Sequence, residues 1–214
     1  MTARERKRIG LIADSHGNLE ATAEAIHLLK WRGADMLVHL GDFCDSVHHD
    51  RTAVMINLLQ ENGVLAVKGN NDSLVENMLA DARREPDAEE VQMLAFLREL
   101  PIVRAQGDIR FAHSLPFDML RAFYTPIDTG DTRRAEELFN ASEEFRILFC
   151  GHSHIPILFR KWEGLVTREA VPAGLPTALE RAGRYIVVVG AAAEGECALY
   201  DDETGLYERI QAEG

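Results

Sequence analysis

The sequence predicts an α/β fold, and three observations carry that expectation. From residue 9 to residue 72 a short apolar run, a polar cluster and a helical pattern recur in turn. The polar clusters sit just after the apolar runs, at the strand ends where α/β sheets place ligand sites. Beyond residue 154 helical periodicity stops and five short strand patterns follow.

Residues 9–13 form a buried-strand pattern that stops at Asp14-Ser15-His16-Gly17-Asn18. Leu19, Ala23, Ile26 and Leu29 then share one face at spacings of three and four, which predicts a helix. Gly33 is placed to end it as the left-handed residue after the last turn. Residues 36–40 read as a second strand running into Gly41-Asp42. A helix over 52–59, a strand over 63–67 and a loop at Gly69-Asn70-Asn71-Asp72 follow. Residues 73–100 are helical in pattern and divide at Pro86, whose ring cannot continue a helix. A strand over 108–112 ends at His113. The irregular segment 116–131 holds Phe117, Phe123 and Tyr124, read as packing it onto the core. Residues 132–144 are helical, and a strand over 146–150 ends in Gly151-His152-Ser153-His154. Tail strands are expected at 157–162, 166–170, 185–189, 197–200 and 206–210, with Asp202-Glu203-Thr204-Gly205 as a hairpin turn. No repeat or low-complexity linker interrupts the 214 residues, so one domain is expected.

The composition excludes several function classes. Lys plus Arg is 23 against 35 for Asp plus Glu, a formal charge of −12. General nucleic-acid binding needs a basic face that displaces counterions and is not expected here. Cys44, Cys150 and Cys197 are odd in number and show no CxxC spacing, which points to a reducing compartment rather than a disulfide framework. The first apolar run is too short for a signal peptide. No stretch approaches the roughly 20 apolar residues of a membrane span. A cytoplasmic protein without a membrane partner is expected.

Each polar cluster alone has an ordinary structural reading. Asp14-x-His16 suits a helix N-cap with a satisfied histidine, Gly41-Asp42 a turn, and Gly69-Asn70-Asn71-Asp72 a helix cap. Together the clusters supply carboxylate, amide and imidazole donors, a mixture that suits Mn²⁺, Fe²⁺ or Zn²⁺. Apart from Cys44 beside the set, cysteine is absent, which speaks against a structural zinc. The donors outnumber the needs of one ion. Two ions about 3.5–4 Å apart, bridged by one carboxylate, would use them all.

Asp14-x-His16, Gly41-Asp42-x-x-Asp45, Gly69-Asn70-x-Asp72, His113 and Gly151-His152-x-His154 resemble, in order and spacing, the calcineurin-like metallophosphoesterase superfamily. The match spans residues 9–154, and the short length and GNxD form are similar to its small bacterial and archaeal phosphodiesterase branch. The resemblance implies a four-layer αββα sandwich of two mixed β-sheets flanked by helices. It implies two divalent ions, with Mn²⁺ favoured over Fe²⁺, Zn²⁺ or Ni²⁺. Asp14, His16 and His154 would bind the first ion, Asn70, His113 and His152 the second, and Asp42 both. A water or hydroxide between the ions would attack phosphorus in a phosphodiester or a small phosphomonoester. A small phosphorylated substrate, a nucleotide among the candidates, is the partner implied. Nucleotide pyrophosphate hydrolysis and a non-catalytic protein-binding scaffold are the alternatives on the same fold.

The sequence departs from better-known members at three places. They carry His after the Asn of the third motif, as a leaving-group acid oriented by the second Asp of GDxxD. Here Asn71 stands at that position while Asp45 remains, so Asp42, Asp45, Asn70 and Asn71 are the candidate catalytic set. His48 and His49, just beyond Asp45, read as loop histidines, a leaving-group or substrate role being the alternative. The arginines of the protein phosphatases are missing beside both motifs, which argues against that class. A Gly-Ser loop with Gln-Pro-Arg-Asp is replaced by Val189-Gly190-Ala191-Ala192-Ala193-Glu194-Gly195, removing an expected substrate-edge contact. Cys44 reads as a buried filler, and Arg121, Arg133, Arg134 and the run Arg4 to Arg8 as solvated surface.

Overall fold

A computed structural model describes residues 7–81, 84–114 and 129–212. Strand β1 (Arg8–Ile12) leads through helix α1 (Leu19–Trp31) to β2 (Met36–His39), and α2 (Thr52–Glu61) leads to β3 (Leu65–Ala66). Helices α3 (Asn70–Ala80) and α4 (Ala88–Glu99) separate this unit from β4 (Val103–Gln106) and β5 (Ile109–Ala112). Helix α5 (Arg133–Ala141) precedes β6 (Ile147–Cys150). The tail is β7 (Ile157–Trp162), β8 (Leu165–Ala170), β9 (Thr177–Ala178), β10 (Arg184–Val188), β11 (Glu196–Asp201) and β12 (Leu206–Gln211).

The strands form two six-stranded mixed sheets, ordered β3-β2-β1-β11-β12-β9 and β4-β5-β6-β10-β7-β8. β1, β2 and β3 run parallel in the first, and β5, β6 and β10 in the second. The layering follows from period-two alternation along each strand. Ile9, Leu11, Val38 and Leu40 from one sheet meet Ile109, Phe111, Phe149 and Val187 from the other in a core between the sheets. The opposite face of the first sheet, with Ile12 and Leu37, buries Ile26, Leu29, Leu59 and Leu97 of the helices. The opposite face of the second, with Leu148, Ile186 and Val188, buries Ala135 and Phe139 of α5. Helix, sheet, sheet and helix thus lie in four layers, as the family resemblance implies.

Two local differences have physical causes. The expected loop at 69–72 leads into the first turn of α3, because Asp72 Oδ2 reaches back to accept the N–H of the N-cap Gly69 at 2.8 Å, the half of a capping box that a glycine allows. Strand β4 escapes the periodicity because it is a half-exposed edge strand. Pro86 does separate α3 from α4, and Gly33 is left-handed at φ 79° after α1. Phe117, Arg121, Phe123 and Tyr124 lie outside the described residues, as do Arg4 and the rest of the first six.

Candidate metal centre

The site is assembled from five loops, each at the carboxyl end of a strand. Asp14 and His16 follow β1, Asp42 follows β2, and Asn70 follows β3. His113 follows β5, and His152 and His154 follow β6. Among the described residues, six that are not glycine have positive φ. Five are here: Asp14 (53°), His16 (44°), Asp42 (56°), His152 (72°) and His154 (57°). Left-handed backbone costs a side-chain-bearing residue about 1–2 kcal/mol. Such strain persists only where surrounding contacts over-determine it. The contacts are on hand. Asp14 N–H donates to Gly41 O at 3.1 Å, His16 N–H to Asp42 O at 3.0 Å, and Gly151 N–H to His113 O at 3.1 Å. Beneath them, Ser15 Oγ bonds both Thr22 Oγ1 and His39 Nε2 at 2.8 Å.

Two glycines allow the loops to approach. A Cβ at Gly69 would stand 2.2 Å from Asp42 Oδ1, and one at Gly151 would stand 2.5 Å from Asp14 Oδ2. Neither position accepts a side chain without moving a site carboxylate.

The side chains converge in two adjacent sets. Asp14, His16 and His154 present donor atoms within 4.8 Å of one another, with His16 Nε2 and His154 Nε2 3.0 Å apart. His113 Nε2 and His152 Nδ1 lie 3.0 and 2.9 Å from Asn70 Oδ1 and 3.2 Å from each other. Asp42 links the sets. Its carboxylate groups with Asp14 and His113, and Oδ2 is 3.4 Å from His113 Nε2.

The donor chemistry and spacing fit divalent ions. Ligand atoms about 2.1 Å from a shared ion sit roughly 3.0–3.4 Å apart, which is the separation seen between these nitrogens and oxygens. His113 Nδ1 faces Leu40 O at 2.9 Å, so a proton held there leaves Nε2 turned to the centre.

Burial and mutual charge set the protonation of the metal-free site. Burial raises the Asp14 carboxyl to about 6. For Asp42, burial is outweighed by the His113 charge and by hydrogen bonds from His113 and Asn71, and its pKa falls. The Asp42 carboxylate in turn overcomes burial to raise His113 to about 9. Burial, with the His113 charge, lowers His152 to about 4, and burial lowers His16. His16 and His152 are thus biased to the neutral form that coordinates cations, whereas a cation bound beside Asp42 displaces the proton that His113 holds in the metal-free site.

The four catalytic candidates divide. Asp42 and Asn70 lie in the cluster. Asn71 lies beneath it, its backbone N–H on Asp42 Oδ1 and its Nδ2 on Asp42 Oδ2, both at 2.7 Å. Its Oδ1 accepts from Ser46 Oγ at 2.6 Å. Asp45 does not meet Asn71 in these bonds; it binds Val47 N–H and His48 instead. Cys44 is fully buried, and Arg133 is an exposed partner of Asp131.

Two residues escaped the sequence reading. Asp72, fully buried, accepts the backbone N–H groups of Asp42, Cys44 and Gly69 at 2.8, 3.0 and 2.8 Å, tying two motifs together. The GNxD spacing carried that signal. Glu194 comes from the tail segment expected to leave the site edge empty. Its Oε1 lies 3.6 Å from His154 Nδ1, while Ala192 and Ala193 N–H groups bond Ala13 and Asp14 carbonyls. No local pattern marks Glu194.

A family model described as the calcineurin-like phosphoesterase superfamily domain matches residues 8–192. Among solved structures, a metallophosphoesterase from Sphaerobacter thermophilus is similar with a TM-score of 0.77 at 23% identity, over 98% of this chain and 89% of that one. A hypothetical protein from Pyrococcus horikoshii is similar with a TM-score of 0.63 at 19% identity, over 96% and 88%. An archaeal phosphodiesterase is similar with a TM-score of 0.51 at 16% identity, over 95% and 98%. A search of curated protein sequences finds no match. No helix among the described residues is long and apolar enough to cross a membrane.

Proposed function

The chain belongs to the calcineurin-like phosphoesterase superfamily, a family of metal-dependent hydrolases of phosphate esters, and from that premise we propose that it cleaves phosphodiester or small phosphomonoester bonds at a dinuclear centre. Asp14, His16 and His154 would hold one ion and Asn70, His113 and His152 the other, with Asp42 shared. The carrying observation is the position of Asp42, whose carboxylate groups with Asp14 of one set and His113 of the other. Divalent cations, when bound, supply Lewis acidity to a phosphoryl oxygen and lower the pKa of water.

The chain's own residues hold that arrangement. Asn71 and Asp72 fix the Asp42 loop through side chain and backbone. Leu40 O accepts a hydrogen bond from His113 Nδ1, and Glu194 stands beside the far nitrogen of His154. Such outer partners fix ring orientation and raise ligand basicity. Manganese is the metal proposed, since carboxylate and amide oxygens accompany the imidazoles; the same donors also suit Fe²⁺ or Zn²⁺. The net charge of −12 makes bound cations the means by which an anionic ester is accepted.

A panel of aryl and alkyl phosphomonoesters, phosphodiesters and nucleoside polyphosphates, assayed with and without Mn²⁺, tests the reading. Metal-dependent turnover of mono- or diesters is expected. Turnover confined to pyrophosphate bonds, or none with metal bound, would overturn it.

A further inference from the structure

Beyond Asp42 the second strand-end loop runs through Asp45 and His48 into a short 3-10 turn at His49–Arg51. Asp45 Oδ1 accepts the Val47 N–H at 2.7 Å, and Oδ2 meets His48 Nδ1 at 3.1 Å. The Asp45 side chain is 27% exposed and the His48 side chain 78%. His48 Nε2 has no partner among the described residues. The pair lines a cleft of about 390 Å³ whose wall also includes His16, so it opens beside the first ligand set. The other charged groups facing this cleft are Glu20, Asp50 and Arg51, and Arg51 is engaged with Glu20 at 3.6 Å.

The position that carries a leaving-group acid in better-known relatives is committed here to another task. Both ends of the Asn71 amide are bonded, to Asp42 and to Ser46. An amide has no proton to give near neutral pH. Asp45, free of residue 71, holds a different imidazole.

We propose that His48, oriented by Asp45, donates the proton to the departing oxygen of the substrate. The assignment rests on the phosphoesterase reading above and adds the acid it lacks. As the bond from phosphorus to the leaving oxygen breaks, the electron pair stays on that oxygen and the His48 Nε2 proton passes to it. Water supplies the oxygen of the new bond to phosphorus and gives up a proton to solvent. His48 recovers its proton from solvent, so the sum is ester plus water to phosphate plus alcohol. An Asp on Nδ1 fixes the ring so that Nε2 faces outward with the transferable proton. Burial alone would raise the Asp45 carboxyl. The Val47 and His48 amides and the His48 ring outweigh it and keep the carboxylate ionised as a partner.

The test is kcat/KM for the metal-loaded wild type, His48→Asn, Asp45→Asn and the control His49→Asn. Substrates are esters whose leaving groups run from nitrophenol to simple alcohols. General acid help is worth about 10²–10⁴-fold. His48→Asn should therefore lose about 10²-fold or more on alkyl esters and less than about tenfold on nitrophenyl esters. Its alkaline fall in kcat/KM should disappear. Asp45→Asn should move that fall to lower pH, and His49→Asn should match the wild type. Equal slopes against leaving-group pKa for wild type and His48→Asn, with equal metal content, would overturn the inference while leaving the phosphoesterase reading intact. Absence of any ester hydrolysis by the metal-loaded wild type would overturn both.

Discussion

His16 Nε2 stands 3.0 Å from His154 Nε2, although 138 residues separate them in the chain. Their ring centroids are 5.0 Å apart, and both residues sit in left-handed backbone. Two imidazoles brought edge to edge beside a buried carboxylate at the cost of strain are organised for a shared ligand. His152, two residues before His154, turns to the other set through Asn70.

That divergence within one short loop gives the first prediction. His154→Ala should mainly lower occupancy of the ion shared with Asp14 and His16. His152→Ala should mainly lower the ion shared with Asn70 and His113. Anomalous-scattering occupancies of crystals of each variant check this, and equal loss of both ions in both variants would refute the assignment.

Asn71 is the second case. Its side chain donates to Asp42 Oδ2 at 2.7 Å. Asn71→Ala removes the amide donor from that oxygen, and loss of such outer contacts typically costs about 10–100-fold in metal affinity. Asn71→Asp should cost more, by setting a carboxylate against a carboxylate. Equilibrium dialysis with Mn²⁺ measures both. Wild-type affinity in Asn71→Asp would contradict the role.

The third prediction concerns pH in the metal-free protein. His113 is held at about 9 when folded and returns to about 6.5 when unfolded. A folded pKa above the unfolded one stabilises fully below pH 6.5 and is lost as pH rises toward 9. Asp14 at about 6 adds a small loss of the same sign that ends near pH 7, while His152 at about 4 and His39 at about 3 add an opposing gain that fades only as their unfolded imidazoles finish titrating, by about pH 7.5. The buried thiols are held above their ordinary values and add a loss of the same sign that sets in as pH approaches about 8. The Tm of the chelated protein should fall between pH 7 and 8. The His113→Asn variant should show a clearly smaller fall there. An unchanged slope would remove His113 as the cause.

Much of this was readable from the chain because strands and ligands share one signal. A polar residue directly after an apolar run marks both a strand end and a site edge, as at Asp14, Asp42, His113 and His152. The helical spacing of Leu19, Ala23, Ile26 and Leu29 fixed α1 in the same way. What escaped reading depends on contacts remote in sequence. β4 is a half-exposed edge strand recognisable only from its pairing with β5. Glu194 reaches His154 because the turn at Ala192–Glu194 bonds the β1 loop, a tertiary fact without a local pattern. The Asn71 to Asp42 bond joins residues 29 apart, so the motif's amide could be seen but not its partner.

The most direct test of the central claim is the rate of aryl phosphodiester hydrolysis by the chelated protein as Mn²⁺ is added in equivalents per chain, run beside Asp42→Ala. The account predicts that the wild-type rate rises to a plateau at two equivalents and that Asp42→Ala stays below a tenth of it. A full rate without metal, a plateau at one equivalent, or an Asp42→Ala variant that binds two ions and retains its rate would contradict it.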